Sequence, residues 1–513
     1  MSAERACQVL IVGGGTGACA AAIAACSMGM RVILTEETEW IGGQLTSQAV
    51  PPDEHPWIEQ FGCTRTYRAY RDGVRRWYRN NTPLGRAARA DLHLNPGGGW
   101  VSKLCHAPRV GRIVLNKMVE EYCASGLLEI WLHTVPVAAS VEGDLVRSVT
   151  VRSLESEEET VVQAKVVLDA TERGDLLPMT GTDYVVGSEA DTGEAHAVQA
   201  SPENCQAITW VFAMAHDEGS HRVIDKPASY ERWRSLRPSF WPGPLLGELD
   251  LNPITNEPRK LPFWGENGFN FFTYRQIVDP SIYESSDEKH PVTVVNWPMN
   301  DYFEGTIVDV DEAVKQARLQ ESKELSRSLL YWLQTEMDLP GLYLRPDVTG
   351  TRDGFAMAPY VRESRRIRAR FTVLEEHVSA DLNPGRDRAR DFEDSVGIGA
   401  YRIDLHPSTG GDSYIDLSTL PFQIPLGALI PLRIRNLLPA CKNAGVTHIT
   451  NGCYRLHPVE WNIGEAAGYL AAHCLSAGLE PAQVYESQDR RVLFQELLTR
   501  AGVELEWPRL RAL

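Results

Sequence analysis

The chain has 513 residues, of which 43% are hydrophobic, 23% charged and 8% aromatic, an ordinary globular composition that excludes a disordered, collagenous or membrane-embedded class. The 51 Lys and Arg against 68 Asp and Glu leave a formal net charge of −17, which argues against nucleic acid and anionic membrane surfaces as partners. At about 150 residues per domain the length allows three domains, or two that share strands.

The longest apolar runs, Ala18–Cys26 and Ala466–Leu475, fall short of the ~20 residues a membrane span needs. Met1-Ser2-Ala3-Glu4-Arg5 leads straight into a strand, without room for a cleaved leader, and the ten cysteines are scattered without a CxxC pair. The expectation is a cytoplasmic protein with reduced thiols. His216 and His221 lack a matching acidic or Cys pair, so no metal is expected.

Gln8–Val12 is a β-branched run that meets Gly13-Gly14-Gly15-Thr16-Gly17-Ala18, and a small-residue helix follows. A second strand, Arg31–Thr35, ends at Glu36, 23 residues after Gly13, with Glu37 beside it. This unit predicts dinucleotide binding: Gly13 allows the tight turn, Gly15 the approach of a pyrophosphate to the helix N-terminus, Ala18 close helix packing, and Glu36 a ribose diol. An acid there disfavours a 2′-phosphate.

Leu128–Val137 alternates like one strand, Val146–Ser153 and Glu159–Gln163 read as a hairpin meander, and Ala164–Thr171 as a buried parallel strand. From Tyr230 to Phe303, 14 of 74 residues are aromatic, which marks a separate domain and is read as its core. Asp311–Met337 has the spacing of an amphipathic helix, and Val361–Arg370 reads as a solvated basic face. Ile434–Ala440 is a strand, Asn462–Ala472 a small-residue helix returning to the nucleotide domain, and Asp381–Asp391 a loop.

Several of these segments, in order, resemble the FAD-dependent oxidoreductases of the glutathione reductase-like flavoprotein superfamily. The resemblance is carried by Gly13–Ala18, Glu36 through Gly42-Gly43-Gln44-Leu45-Thr46, Leu104-Cys105 with Pro108-Arg109-Val110, and Asp169 through Leu176. It continues in Asn296-Trp297-Pro298, Asp301-Tyr302, Arg362–Ile367, Asp404-Leu405-His406, Phe422–Pro425, Asn436–Ala440, and Tyr454-Arg455 leading to Gly464–Gly468. The fold it implies is α/β, with a discontinuous Rossmann-like FAD-binding domain (residues 1–190 and 416–480), an inserted α+β substrate or capping domain (191–415) and a C-terminal helical tail (481–513). The resemblance also implies FAD, with its AMP half over Gly13–Gly17 and Glu36, Gly42-Gly43-Gln44 along the pyrophosphate and ribityl chain, and Val135 at adenine. Ala170, Thr171 and Asp175 would line the channel, and the Gly464 helix would point its N-terminus at the flavin, where its dipole stabilises negative charge. This chain departs from its relatives at Trp40, where many carry arginine, and at His106, and from the wider superfamily at Glu172, where glycine is usual although Glu172 matches this family better.

Flavin chemistry on an alcohol or amine needs a base. His406, in a family-matching segment, is the first candidate, with His448 and His457 behind it. Arg362, Arg365 and Arg455 are suited to clamp a carboxylate or stabilise an oxyanion. His406, Arg365 and Arg455 are expected to converge at the flavin, whereas Cys63 and Cys453 read as packing. The leading function is a dehydrogenase or oxidase taking a hydride from a small polar molecule, with an unknown electron acceptor and a homo-oligomer as one assembly open to it. A flavin monooxygenase and a non-redox nucleotide-binding protein are the alternatives.

Overall fold

The computed structural model describes residues 3–190, 192–265, 269–285 and 287–508. Met1 and Ser2 of the N-terminal reading, residue 191 at the expected domain boundary and the last five residues of the expected tail lie outside the described residues.

Strand β1 (Ala3–Val12) starts five residues before the apolar run, because its exposed first half pairs through backbone alone with residues from Thr160 onward. The glycine loop leads into α1 (Thr16–Ser27), buried on every side from Thr16 to Cys26, and then into β2 (Val32–Thr35). The expected single strand over Leu128–Val137 is two strands, β3 (Leu128–Trp131) and β4 (Thr134–Glu142), parted at His133, whose φ is 51°. The alternation is real, but the chain changes partners: β3 extends the parallel edge and β4 begins the meander, and side-chain period does not record the partner. Conversely, β5 (Leu145–Ser153) is followed by one long strand, β6 (Glu159–Asp169), where two were expected.

The main sheet runs β3-β2-β1-β6-β5-β4, parallel among β3, β2, β1 and β6 and antiparallel through β5 and β4. Both halves of β6 pair with β1, while on its other side the first half pairs with β5 and the second is free for a returning strand. That geometry brings the end of β6, at Asp169, beside the end of β1, at Val12, where the glycine loop begins.

A second layer is built from β7 (Phe212–His216), β8 (Gln276–Val278), β9 (Val292–Val295), α2 (Glu312–Thr335) and β10 (Leu342–Leu344), whose strands form an antiparallel sheet β8-β9-β7-β10. Its own core holds Trp233, Trp241, Phe263, Phe271, Phe272 and Tyr302, so much of the aromatic enrichment is packing. The chain then passes through β11 (Ile403–Leu405) to β12 (Leu437–Pro439), which pairs parallel with β6 at Val167–Asp169, and ends the core with α3 (His448–Tyr454) and α4 (His457–Ala477). Helix α4 lies on α1 so closely that a Cβ on Gly464 would meet the Gly17 carbonyl oxygen at 2.0 Å, and one on Gly468 that of Ala21 at 2.4 Å. Among the described residues no helix is long and apolar enough to cross a membrane.

Candidate functional site

The glycine loop turns at Gly13, whose φ of 95° and 2.3 Å from a hypothetical Cβ to the Ala170 carbonyl oxygen exclude a side chain. Gly14 N–H donates to Glu36 Oε2 (2.9 Å), and Glu36 Oε1 accepts from Thr38 N–H (2.8 Å) and its hydroxyl (2.6 Å). Burial, then the neighbouring Glu37, pushes the Glu36 carboxyl up to about 7. A cavity of about 430 Å³ opens over these residues. Of the expected cofactor residues, Gly13, Gly14, Gly15, Glu36, Glu37, Gly43, Val135, Ala170, Thr171 and Asp175 line it.

Five others stand behind that wall. The Thr16 hydroxyl donates to the Gly42 carbonyl (2.9 Å), Gly17 N–H to Glu460 Oε1 (3.1 Å), and Gln44 Nε2 to Glu460 Oε2 (2.5 Å) and the Arg455 carbonyl (3.0 Å), while Ala18 is core. Gly464 requires a correction. It is the eighth residue of α4 rather than its start, and its missing side chain serves the crossing with α1. Small residues in a helix signal close packing as readily as a terminus.

The cradle fits a pyrophosphate. A Cβ on Gly15 or Gly43 would meet Glu172 Oε1 at 2.9 Å, so an anionic oxygen of the chain itself already sits between the loop and the second glycine turn. That oxygen has no hydrogen-bond partner, while the other Glu172 oxygen ion-pairs with buried Lys442. Gln48 Oε1, on the same cavity wall, is likewise unpartnered. Backbone turns without side chains, an anion stand-in, a cation behind it and Glu36 placed for a diol make the donor set of an FAD site.

A second cavity, of about 200 Å³, lies between the two layers. His406 and Arg455 both line it. His406 Nδ1 donates to Asp301 Oδ2 (2.5 Å), which fixes the neutral tautomer with Nε2 free, and Nε2 lies 3.9 Å from Asp404 Oδ2. Asp301 is fully buried and also holds Arg362 Nη2 at 3.1 Å. Burial, then the Arg362 charge, lowers the His406 pKa below 6.5 against the pull of Asp301, so the ring is neutral at pH 7. Arg455, which follows the last residue of α3, donates from Nη1 to the Tyr360 hydroxyl (2.7 Å) and from Nη2 to the Asp404 carbonyl (2.8 Å). Asp53 lines the same space, and burial pushes its carboxyl up to about 6.

Arg365 does not join them. It lines the first cavity, paired with Asp309 (2.7 Å) and Asp175 (3.1 Å). In the stretch from Ala358 to Arg365, Ala358 and Arg365 face the larger cavity, Tyr360 and Arg362 the smaller; the segment is irregular and its side chains do not alternate, and Arg362 takes the place expected of Arg365. The other candidates are held in the core: His448 Nδ1 pairs with Glu363 (3.0 Å), His457 Nδ1 accepts from Asp53 N–H (3.0 Å), and His106 Nε2 meets the Tyr70 hydroxyl (3.0 Å). Trp40 is buried against Gly350, with the Arg112 guanidinium 5.4 Å from its ring centre. Neither Cys63 nor Cys453 lines either cavity.

Sequence reasoning missed Asp301, Arg275, Asp53 and Tyr360. For Asp404 a signal existed: Asp404-Leu405-His406 runs along β11, and residues two apart in a strand share a face. Asp301 reaches His406 across 105 positions, a pairing that no local pattern encodes.

Residues 8–498 match the family described as FAD dependent oxidoreductase. No curated protein matches the chain. Among solved structures, a geranylgeranyl bacteriochlorophyll reductase-like protein from Thermoplasma acidophilum is 11% identical, with 98% of this chain and 85% of that chain covered and a TM-score of 0.32. L-proline dehydrogenase from P. horikoshii is 16% identical over 37% of this chain and a quarter (25%) of its own length, with a TM-score of 0.20. CabE, an aromatic hydroxylase from angucycline biosynthesis, is 15% identical over 42% of this chain and 38% of that one, with a TM-score of 0.24. With the match running over nearly its whole length, the chain belongs to the FAD dependent oxidoreductase family, and its cofactor is FAD.

Proposed function

We propose that the protein is a dehydrogenase or oxidase for a small polar alcohol or amine, bound in the 200 Å³ cavity beneath the aromatic-rich layer. The observation that carries this reading is the His406–Asp301 pair: a histidine kept neutral, its tautomer fixed by a buried carboxylate, in a cavity also lined by Arg455 and Asp404. When bound, FAD supplies the two-electron acceptor for a carbon-bound hydride. His406 Nε2 takes the proton from the substrate hydroxyl or amine, Asp301 stabilises the imidazolium that forms, and Arg455 orients the substrate.

The two cavities are joined through shared elements: the Ala358–Arg365 segment lines both, and Gln44, next to Gly43 of the first, donates to the carbonyl of Arg455 in the second (3.0 Å). We read residues 1–190 and 416–480 as the cofactor-binding part, 191–415 as the cap and 481–513 as a tail. Gly13–Gly15, Glu36, Glu37, Gly43, Val135, Ala170, Thr171 and Asp175 are the residues we assign to FAD. Ten unpaired thiols, nine of them buried, suit a reducing compartment, and the cytoplasm is our assignment.

The test is anaerobic bleaching of the bound flavin by a panel of small alcohols, amines and acids. Reduction by a member of the panel, abolished in His406→Ala with FAD retained, supports the reading. Reduction by NADPH alone, followed by oxygen insertion into the substrate, would establish a monooxygenase instead.

A further inference from the structure

We infer that the smaller cavity binds its substrate by a carboxylate, seated on the guanidinium groups of Arg275, Arg362 and Arg455. The inference rests on the proposed function for its site, and it names the substrate class: a small organic acid.

All three guanidiniums line the cavity. Arg362 and Arg455 are essentially without solvent exposure (0% and 1%), and both pack against the Tyr360 ring, 4.9 and 5.9 Å from its centre. The protein satisfies each only in part. Arg362 Nη1 donates to the Ala207 carbonyl (2.8 Å) and Thr209 hydroxyl (2.8 Å), and its Nη2 to Asn296 Oδ1 (3.0 Å) beside the Asp301 carboxylate (3.1 Å), while its Nε has no acceptor. Arg455 uses both Nη groups, and its Nε is also unclaimed. Arg275 Nε donates to the Asn296 carbonyl (3.0 Å), while its Nη1 is buried without a partner.

A buried N–H left unpaired costs about 1–3 kcal/mol, more on a charged group, so three such donors around one cavity call for an acceptor that enters it. The acids on the cavity wall leave these three N–H groups unclaimed. Asp404 takes Arg455 through Nη2 (3.2 Å) and not Nε, Asp250 pairs with Arg259 (2.6 Å) and Asp416 with Arg402, and Asp53 makes no ion pair among the described residues. A carboxylate is planar, offers about four lone-pair sites and matches guanidinium geometry. The volume, about 200 Å³, lies below the ~300–1,000 Å³ of sites for drug-sized ligands, which confines the acid to a few carbons.

The experiment is calorimetric titration of the FAD-loaded full chain with succinate, malate and erythritol, a neutral polyol of comparable size. Succinate carries no hydroxyl to oxidise, so its binding reports the anion site alone. The inference expects succinate and malate to bind and erythritol not to, and Arg455→Lys and Arg275→Gln each to weaken succinate at least tenfold with FAD content unchanged. Arg275→Gln carries the test should Arg455→Lys fail to fold, since Arg275 is only half-buried. Erythritol binding as tightly as succinate, or succinate binding unaltered in a folded Arg275→Gln, would overturn it. Should succinate bind while nothing in the panel bleaches the flavin, the anion site stands and the dehydrogenase reading falls; a neutral alcohol that bleaches the flavin while neither acid binds does the reverse.

Discussion

His406 and Arg362, 44 positions apart, share one carboxylate: Asp301 holds the imidazole Nδ1 on one oxygen at 2.5 Å and the guanidinium Nη2 on the other at 3.1 Å. Burial opposes ionisation of Asp301, yet the Arg362 charge and the hydrogen bonds from His406 and Thr209 hold its carboxyl below the usual range. The proton acceptor and an anion-binding arginine are therefore oriented by the same group, and substitutions of Asp301 should disturb both.

Asp301→Asn keeps the shape and removes the charge, so His406 loses the partner that fixes its tautomer. Flavin reduction by substrate should fall on the order of 10²-fold or more, with FAD content unchanged. Stopped-flow reduction at saturating substrate measures this, and a rate within twofold of the parent would remove Asp301 from the mechanism.

The pH profile has a definite sign. His406 is lowered from 6.5, so it is the unprotonated base at neutrality and charges only in acid. The rate of flavin reduction should be level above pH 7 and fall as the pH drops through a value below 6.5. An acidic limb centred above 7 would point to a different base.

Glu36 gives a pH effect on the cofactor instead. With its carboxyl pushed up to about 7, it gains a proton as the pH falls below neutrality and loses its strength as an acceptor for ribose hydroxyls. FAD retention on dialysis should weaken from pH 8 to pH 6. In Glu36→Gln retention should be uniformly weaker, by about 1.5–3 kcal/mol, and level with pH. Identical retention curves for the two proteins would exclude the ribose contact.

Gly464→Ala tests the helix crossing. Its methyl group would have to displace backbone at the foot of the glycine loop, since the contact at 2.0 Å is a carbonyl oxygen and not a pliable side chain. Overpacking of this kind costs about 1–3 kcal/mol. Thermal unfolding should shift down and FAD be lost, whereas Gly478→Ala, at an open position on the end of the same helix but with φ of 66°, should cost only backbone strain and spare FAD.

The flavin is expected to be free of any covalent tether, because Cys63 and Cys453 line neither cavity. Acid precipitation should leave the yellow colour in the supernatant, and colour in the pellet would show a link.

The nucleotide cradle was legible because it is local: one loop, two strands and a terminal acid within 29 residues, from Gln8 to Glu36, each required by backbone geometry that only certain residues adopt. The α2 helix and the returning strand and helix were legible for the same reason, their patterns being written in consecutive residues. Glu172 was visible as a departure, but its reach back between Gly15 and Gly43 was not. The smaller cavity was half legible. His406 and Arg455 stood out by residue type, yet Arg365 was preferred to Arg362, because nothing local says which side of an irregular segment faces which chamber. Asp301, Arg275 and Asp53 arrive from other elements, and their approach is a property of topology alone.

The segment from Ala358 to Arg365 deserves reading as a partition with two tenants. Because it feeds both chambers within eight residues, with Arg362 in one and Arg365 in the other, loss or gain of a residue between those two would disturb both sites at once. Substitution at Tyr360 or Arg362, by contrast, alters one room without touching the other's furniture. For anyone reshaping the selectivity of this protein, these two positions are places to diversify and the segment's length is what to hold constant, with flavin colour as the readout that the partition still stands.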